Sequence, residues 1–368
     1  MDNQKIILLT HEYPPKRGGA GVYCEELVHA SQKLGISIEA WVPKYVTKRD
    51  NLRNLALKGT QDWICSYRMF KELFNKKNSF PRSTLLHVAE PGSLRAIIRF
   101  GWLINNLPKI MITIHGTELI RFCANPIEKM FFRKILKRAN RIHVLSKFNK
   151  IELLKICPEI KDQIFLFPGA PARSLITDDQ NKKIVSTKKI KILCVARIHP
   201  RKGQDRVLNS IKELPKVLRM NIECTFVGPI VKKGFYNNVK DLSENSDCKV
   251  EFLGDLPDEE LKQHYQNSDI FILPSMPRAK SVEGFGFVYL EASSHGLPII
   301  AHRIGGVEDA VKDGETGILA DPERPKELKD ALKRLLTDTD LRKKMGQAGK
   351  NWAKKHCWET VAKNIYSF

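Results

Sequence analysis

The chain has 368 residues, 42% of them hydrophobic, and carries 62 lysines and arginines against 41 acids, a formal net charge of +21. That length fits two domains of ordinary size, each with apolar residues enough for its own core, and the composition excludes a disordered or fibrous chain. The charge favours anionic partners: nucleic acid, an anionic membrane face and phosphorylated substrates all qualify on charge alone.

The 8 cysteines are scattered with no CxxC pair, which speaks against a zinc site and predicts reduced thiols in a reducing compartment. The first apolar run, residues 6–10, is too short for the core of a signal peptide, and no apolar run approaches the roughly 20 residues that span a bilayer. The expectation is a cytoplasmic protein, with peripheral attachment to the inner face of the plasma membrane as its route to lipid.

In chain order, a strand is predicted over residues 5–10, then the loop His11-Glu-Tyr-Pro-Pro-Lys-Arg-Gly-Gly-Ala20, then a helix from about Val22 to Leu34 with Gly35 as its stop signal. Short apolar runs at 37–42, 85–88, 110–114 and 141–145 predict further strands separated by helical stretches. Such alternation predicts a parallel sheet covered on both faces. Residues 168–189 hold Pro, Gly, Asp, Asn and Lys without a sustained period and are expected to be a linker. The pattern then restarts with a strand at 190–195, a loop to Gly203, a helix to about Leu214, and strands at 222–227, 249–252, 270–273 and 298–301. The expected fold class is α/β, two Rossmann-like domains in tandem, at 1–170 and 186–354. A final helix from about 340 to 368 is expected to cross back, so that 355–368 joins the first domain. Ligands of such sheets bind beyond the carboxyl ends of the strands, and two sheets facing each other would enclose a cleft.

The most informative segment is Val282-Glu283-Gly284-Phe285-Gly286-Phe287-Val288-Tyr289-Leu290-Glu291. Gly284 and Gly286 allow a close backbone approach, and a helix start offers free N–H groups to a phosphate. The spacing predicts Glu283 and Glu291 about two helical turns apart, one acid for a sugar and one for a ribose, since carboxylates accept from paired hydroxyls. Alone, a GxG turn before a helix is as readily an ordinary acidic helix start. Arg197-Ile-His-Pro-Arg-Lys202-Gly203 follows the first strand of the second half. There Arg197 offers a bidentate fork and Lys202 a point charge to a diphosphate; a solvated basic loop is the plain alternative. Gly18 and Gly19 precede a helix whose N-terminus carries partial positive charge, but the loop does not match GxGxxG, so a dinucleotide redox cofactor is not supported. His115, at the head of His115-Gly-Thr-Glu118, follows a predicted strand and could meet a sugar hydroxyl or serve as a backbone-bonded structural histidine.

Two basic amphipathic stretches stand apart. Trp63, Tyr67, Phe70 and Phe74 recur at helical spacing beside Arg68, Lys71, Lys76 and Lys77; Met130, Phe131, Ile135 and Leu136 lie among Lys129, Arg133, Lys134, Lys137 and Arg138. Each fits either an interfacial membrane helix or a core-packed helix with a solvated face.

Together these segments resemble the GT-B glycosyltransferases, specifically the retaining enzymes of glycosyltransferase family 4. The resemblance runs nearly end to end: Tyr13-Pro-Pro…Gly18-Gly19, His115-Gly-Thr-Glu118, Arg138-Ala-Asn-Arg-Ile-His-Val-Leu-Ser146, Arg197…Lys202-Gly203, Glu283…Glu291, Ala292…Gly296-Leu-Pro298, Gly305-Gly306-Val-Glu308 and Asp313-Gly-Glu-Thr-Gly317. Pro168-Gly-Ala170 departs from the Pro-Asn-Gly of many relatives. Within the family, the opening loop and Pro274-Ser-Met-Pro-Arg278 leading to Glu283 look most like the phosphatidylinositol mannoside mannosyltransferases. The resemblance implies a hexosyltransferase that moves a sugar from a nucleotide diphosphate, leaning to mannose from GDP-mannose, onto a lipid-linked or envelope-glycan acceptor.

The same resemblance implies that Arg197 and Lys202 neutralise the leaving diphosphate, and that Glu283 and the segment Gly284, Phe285, Gly286, Phe287 and Val288 hold the donor. Glu291 would bind ribose, Gly228 and Leu253 the base, Gly18 and Gly19 would close on the diphosphate, and His115 would contact the transferred sugar. No metal and no resident cofactor are expected; the nucleotide sugar, with GDP or UDP, is a co-substrate. The competing expectations are a UDP-glucose- or UDP-GlcNAc-dependent enzyme with a soluble acceptor, and a nucleotide-sugar-binding protein without catalysis. Nucleic acid is not expected as a partner, since no RNA or DNA module is present and aromatics do not interleave a basic strand face.

Overall fold

A computed structural model describes residues 4–16, 18–176, 189–279 and 281–367. Its strands form where the sequence offers short runs apolar on both sides. The run Ile-Ile-Leu-Leu of β1 (Ile6–Leu9) is buried at all four positions, as a strand in a sheet covered on both faces must be. With it, β2 (Ile38–Pro43), β3 (Leu52–Leu55), β4 (Leu85–Val88), β5 (Lys109–Ile114), β6 (Arg141–Val144) and β7 (Ile164–Leu166) make a seven-stranded sheet in the order β3-β2-β1-β4-β5-β6-β7. A second sheet holds β8 (Ile190–Val195), β9 (Ile222–Val227), β10 (Lys249–Phe252), β11 (Ile270–Leu273), β12 (Ile299–His302) and β13 (Gly317–Ala320), in the order β10-β9-β8-β11-β12-β13. Every pairing is parallel. Both orders reverse beside the first strand, at β1/β4 and at β8/β11, and such reversals are where doubly wound sheets take ligands.

The chain divides into two compact units. Unit 1 comprises Met1–Gly169, Ala279–Phe285 and Cys357–Phe368; unit 2 comprises Ala170–Arg278 and Gly286–His356. The segment Ala279–Phe285, which the sequence assigned to the second domain, thus packs with unit 1. The final helix is two helices, Thr339–Ala353 and Trp358–Tyr366. The second is bound to unit 1 by named contacts. Trp358 packs edge-on to Tyr23 with centroids 5.6 Å apart, and Tyr366 Oη lies 2.7 Å from His87 Nδ1. Arg141 donates to the carbonyls of Asn364, Ile365 and Ser367, closing the helix C-terminus with a cation where its carbonyls lack partners.

Three strands are absent from the sequence reading: β3, β7 and β13, of four, three and four residues. Of the stretch expected to be a linker, Arg173–Leu175 forms one helical turn, and residues 177–188 lie outside the described residues.

Candidate active site

In unit 2, Arg197, His199, Arg201 and Lys202 occupy the loop that leaves β8, at the β8/β11 reversal. Backbone bonds tie this loop to its neighbours. Val231 N–H donates to the Ile198 carbonyl at 3.3 Å, Ile198 N–H to Pro229 at 2.9 Å, and Met276 N–H to Arg201 at 2.7 Å. Lys202 closes a turn over Pro200–Lys202 by donating its N–H to His199 at 2.8 Å. The loops leaving β8, β9 and β11 are therefore one rim, and it is strongly cationic. Burial lowers the His199 pKa first, and the charges of Arg197, Arg201, Lys232 and Arg278 lower it further. A rim with this field suits a phosphorylated ligand. Gly228 follows β9 and donates its N–H to the Gly254 carbonyl at 2.6 Å, while Leu253 N–H donates to the Phe226 carbonyl at 3.0 Å, so both residues named for base binding border the same strand end.

The helix Phe287–Ser294 starts at Gly286, whose φ of +89° is left-handed. Phe287 and Val288 open its first turn. Glu291, the second acid of the motif, is buried, and Tyr265 Oη donates to its Oε2 at 3.1 Å. Glu283 lies outside this helix and clusters with unit 1. The expectation of two acids two helical turns apart is therefore corrected: Gly284 and Gly286 interrupt the helix between them.

In unit 1, Gly284 serves the packing of the chain on itself. A Cβ built there would lie 1.5 Å from the His115 carbonyl oxygen, and one on Gly116 would lie 2.9 Å from Gly284 Cα. The segment before Gly286 thus crosses the His115–Gly116 turn backbone to backbone, and Thr117 Oγ1 donates to the Val282 carbonyl at 3.4 Å. Phe285 is buried beside it. His115 Nε2 lies 2.9 Å from the Ala89 carbonyl, so this nitrogen carries the proton. Its backbone N–H donates to the buried carboxyl of Glu118. Burial raises the Glu118 pKa despite that bond; the last residue of His-Gly-Thr-Glu is a buried brace for the turn.

Gly18 is the N-cap of the helix Gly19–Lys33, and Gly19 opens it, three residues earlier than the sequence suggested. At the β1/β4 reversal stand two residues that sequence reasoning did not single out, His11 and Glu90. The Glu90 carboxylate accepts from His11 N–H at 2.8 Å, Gly92 N–H at 2.6 Å and Ser93 N–H at 2.6 Å. Burial raises its pKa, but these bonds and His11 outweigh it and hold the carboxyl below its ordinary range. Glu90-Pro91-Gly92-Ser93 carries a helix-start signal that could have found it.

The helix Trp63–Lys76 buries Cys65, Ser66, Met69 and Leu73 and turns Trp63 and Ile64, each 64% exposed, outward with Tyr67 and Phe74. Trp63, Ile64, Tyr67 and Phe100 line a groove of about 450 Å³ with Arg68 and Lys71. Arg99 lies 4.2 Å over the Trp63 ring and Lys77 3.9 Å over Phe74. The other basic stretch, in the helix Pro126–Arg138, buries Phe132, Ile135 and Leu136 and exposes Met130, as a core-packed helix with a solvated face does.

Two doubly wound parallel sheets in tandem, each with its candidate residues at carboxyl strand ends, make the GT-B architecture. Residues 176–352 match the family of glycosyl transferases group 1. The chain is 25% identical, over 99% of its length and 97% of the relative's, to the GDP-mannose-dependent alpha-(1-6)-phosphatidylinositol monomannoside mannosyltransferase of Mycobacterium tuberculosis. Its fold is similar to a sucrose-phosphate synthase from Thermosynechococcus elongatus, with TM-score 0.81 and 20% identity over 98% of this chain and 97% of that one. It is also similar to the Anabaena HepE protein in complex with UDP and glucose, with TM-score 0.76 and 14% identity over 98% of each chain.

Proposed function

We propose that the chain is a retaining hexosyltransferase of glycosyltransferase family 4 that transfers mannose from GDP-mannose to a lipid-linked or envelope-glycan acceptor. The observation that carries this reading is the end-to-end similarity to a GDP-mannose-dependent phosphatidylinositol monomannoside mannosyltransferase. In this reading Arg197 and Lys202 neutralise the leaving diphosphate, and Glu283 with the amides of Gly284, Phe285, Gly286, Phe287 and Val288 holds the sugar. Glu291 binds the ribose hydroxyls, and Gly228 and Leu253 border the base. Gly18 and Gly19 are assigned to the diphosphate and His115 to the transferred sugar.

The chemistry follows from charge. Breaking the anomeric carbon–oxygen bond leaves its electron pair on the β-phosphate. Fixed cations and helix amides stabilise that charge without reorganising, which is often the largest catalytic contribution. The acceptor oxygen forms the new bond on the same face of the sugar, and its proton passes to the departing phosphate. Because the cations are side chains, we infer that transfer needs no added divalent metal.

A membrane role fits the aromatic and basic surface of the helix Trp63–Lys76. Among the described residues no helix is long and apolar enough to cross a bilayer, so contact would be peripheral, at the inner face of the plasma membrane. A second reading, a UDP-sugar donor with a soluble acceptor, is favoured by the similarity to a protein solved with UDP and glucose.

A thermal-shift panel of GDP-mannose, UDP-glucose, UDP-GlcNAc and an ADP-sugar separates the two. A donor that binds the folded state raises its melting temperature by mass action, about 2.7 kcal/mol at a hundredfold excess over Kd. Stabilisation by GDP-mannose alone supports the first reading, and stabilisation by a UDP-sugar alone replaces it with the second. Turnover of the stabilising donor in EDTA tests the metal-free step.

A further inference from the structure

We propose that Tyr265 is the positioning residue for Glu291, holding that carboxylate in the orientation in which it receives the ribose of the donor; the proposal rests on the ribose role given to Glu291 above. Tyr265 comes from the helix Asp258–Gln266 and is completely buried. Its hydroxyl donates to Glu291 Oε2 at 3.1 Å. Its ring lies parallel to the His295 imidazole, with an interplanar angle of 3° and centroids 5.3 Å apart. Glu291 and His295 are four residues apart, one helical turn on the same side of the chain, so one ring braces both.

The far end of this stack is also fixed. His295 Nε2 donates to the Leu175 carbonyl at 2.6 Å. Tyr265 therefore cannot tilt without disturbing a buried imidazole that is itself hydrogen-bonded, and its hydroxyl has one aim. Burial, and then the Glu291 charge, push the Tyr265 pKa far above its ordinary value, so the phenol stays protonated and meets the carboxylate only as a donor. A hydrogen bond to one oxygen fixes the plane in which the carboxylate lies. Ribose recognition needs this, since a carboxylate reads two vicinal hydroxyls by geometry as well as charge. The site thus extends from the acid to a tyrosine 26 positions earlier in the chain.

The test is Tyr265→Phe, which keeps the stacked ring and removes the donor, with Glu291→Gln as its partner. The probes are GDP and UDP, and the 2′,3′-dideoxy form of whichever binds tighter, titrated by calorimetry. The expected result is a Kd for the ribonucleotide raised about tenfold in Tyr265→Phe, the loss expected when a hydrogen bond to a charged group goes. The dideoxynucleotide should bind wild type and Tyr265→Phe equally, and kcat at saturating donor should stay within about twofold. If Glu291→Gln weakens the ribonucleotide but Tyr265→Phe does not, the positioning role is overturned and the ribose reading stands. If Tyr265→Phe weakens both nucleotides equally, the hydroxyl acts only through general structure, and the proposal is again overturned. If Glu291→Gln changes neither affinity, the ribose reading itself fails.

Discussion

Gly284 and His115 are in backbone contact: a methyl group on Gly284 would sit 1.5 Å from the His115 carbonyl oxygen. Backbone has few ways to yield, so Gly284→Ala must lift the segment before Gly286 or shift the His115–Gly116 turn. Overpacking of this kind costs about 1–3 kcal/mol. It should also displace His115 and Glu283 together, lowering kcat/KM at least tenfold. Gly234→Ala, where the added atom meets nothing within 4 Å, is the control and should leave both melting temperature and kinetics unchanged. Normal kinetics in Gly284→Ala would mean that this crossing does not hold reacting groups.

Lys202→Ala should lower kcat by about 10²–10³, the range for removing a preorganised group aimed at developing charge. Its melting temperature should change little, because Lys202 is not part of a buried core. Lys202→Arg keeps the charge but not the compact ammonium, and should fall between the two. Donor affinity measured separately from turnover decides the case. Retained binding with lost turnover is expected; unchanged turnover would remove Lys202 from the reaction.

The two sheets were legible because their central strands are apolar on both faces. Leu85–Val88, Ile190–Val195, Ile222–Val227 and Ile270–Leu273 fall where the sequence placed them. The strands it missed are sheet edges or near-edges with little apolar run: Leu52–Leu55 reads Leu-Arg-Asn-Leu, and Gly317–Ala320 begins with glycine. Their pairing comes from tertiary context, to which strand propensity is subordinate. The motif residues were legible by type and order, but their packing was not. Glycines at 284 and 286 read as ligand contacts, whereas Gly284 makes room for the His115 carbonyl. The buried partners His11 and Tyr265 carry no local signal, because what marks them is a neighbour 79 or 26 positions away.

Binding to lipid should depend on the outward aromatic edge of the helix Trp63–Lys76. Trp63→Ser with Tyr67→Ser removes two exposed rings, 64% and 51% accessible, without touching the buried Met69 and Leu73. Sedimentation with phosphatidylserine-containing vesicles at low salt should fall about tenfold or more. Lys71→Glu with Lys77→Glu should weaken it similarly, at about 1 kcal/mol per basic residue, and the remaining binding should vanish as salt rises. Wild-type protein that stays in the supernatant at low salt would end the membrane reading and leave the donor chemistry untouched.

The last prediction concerns acid. His143 and His87 are fully buried beneath the first sheet's carboxyl end, linked through Thr113 Oγ1, which lies 3.3 Å from His143 Nδ1 and 2.8 Å from His87 Nε2. Burial lowers the His143 pKa from 6.5 to about 3, against the opposing bond to the Phe167 carbonyl, and burial also drives His87 well down. Both are neutral in the fold, while in the unfolded chain each takes a proton below about pH 6.5. The unfolded state then holds more protons, so unfolding free energy rises with pH throughout this window and falls as acid is added. The contribution is complete above the unfolded pKa and drains away towards the folded one. By pH 5, His143 alone should have cost about 2 kcal/mol. Urea unfolding at pH 7, 6 and 5 measures this above the range where carboxylates titrate. His143→Gln should flatten the slope by about one proton, and a wild-type stability that does not change from pH 7 to 5 would mean that these imidazoles take up protons in the fold as readily as in the unfolded chain.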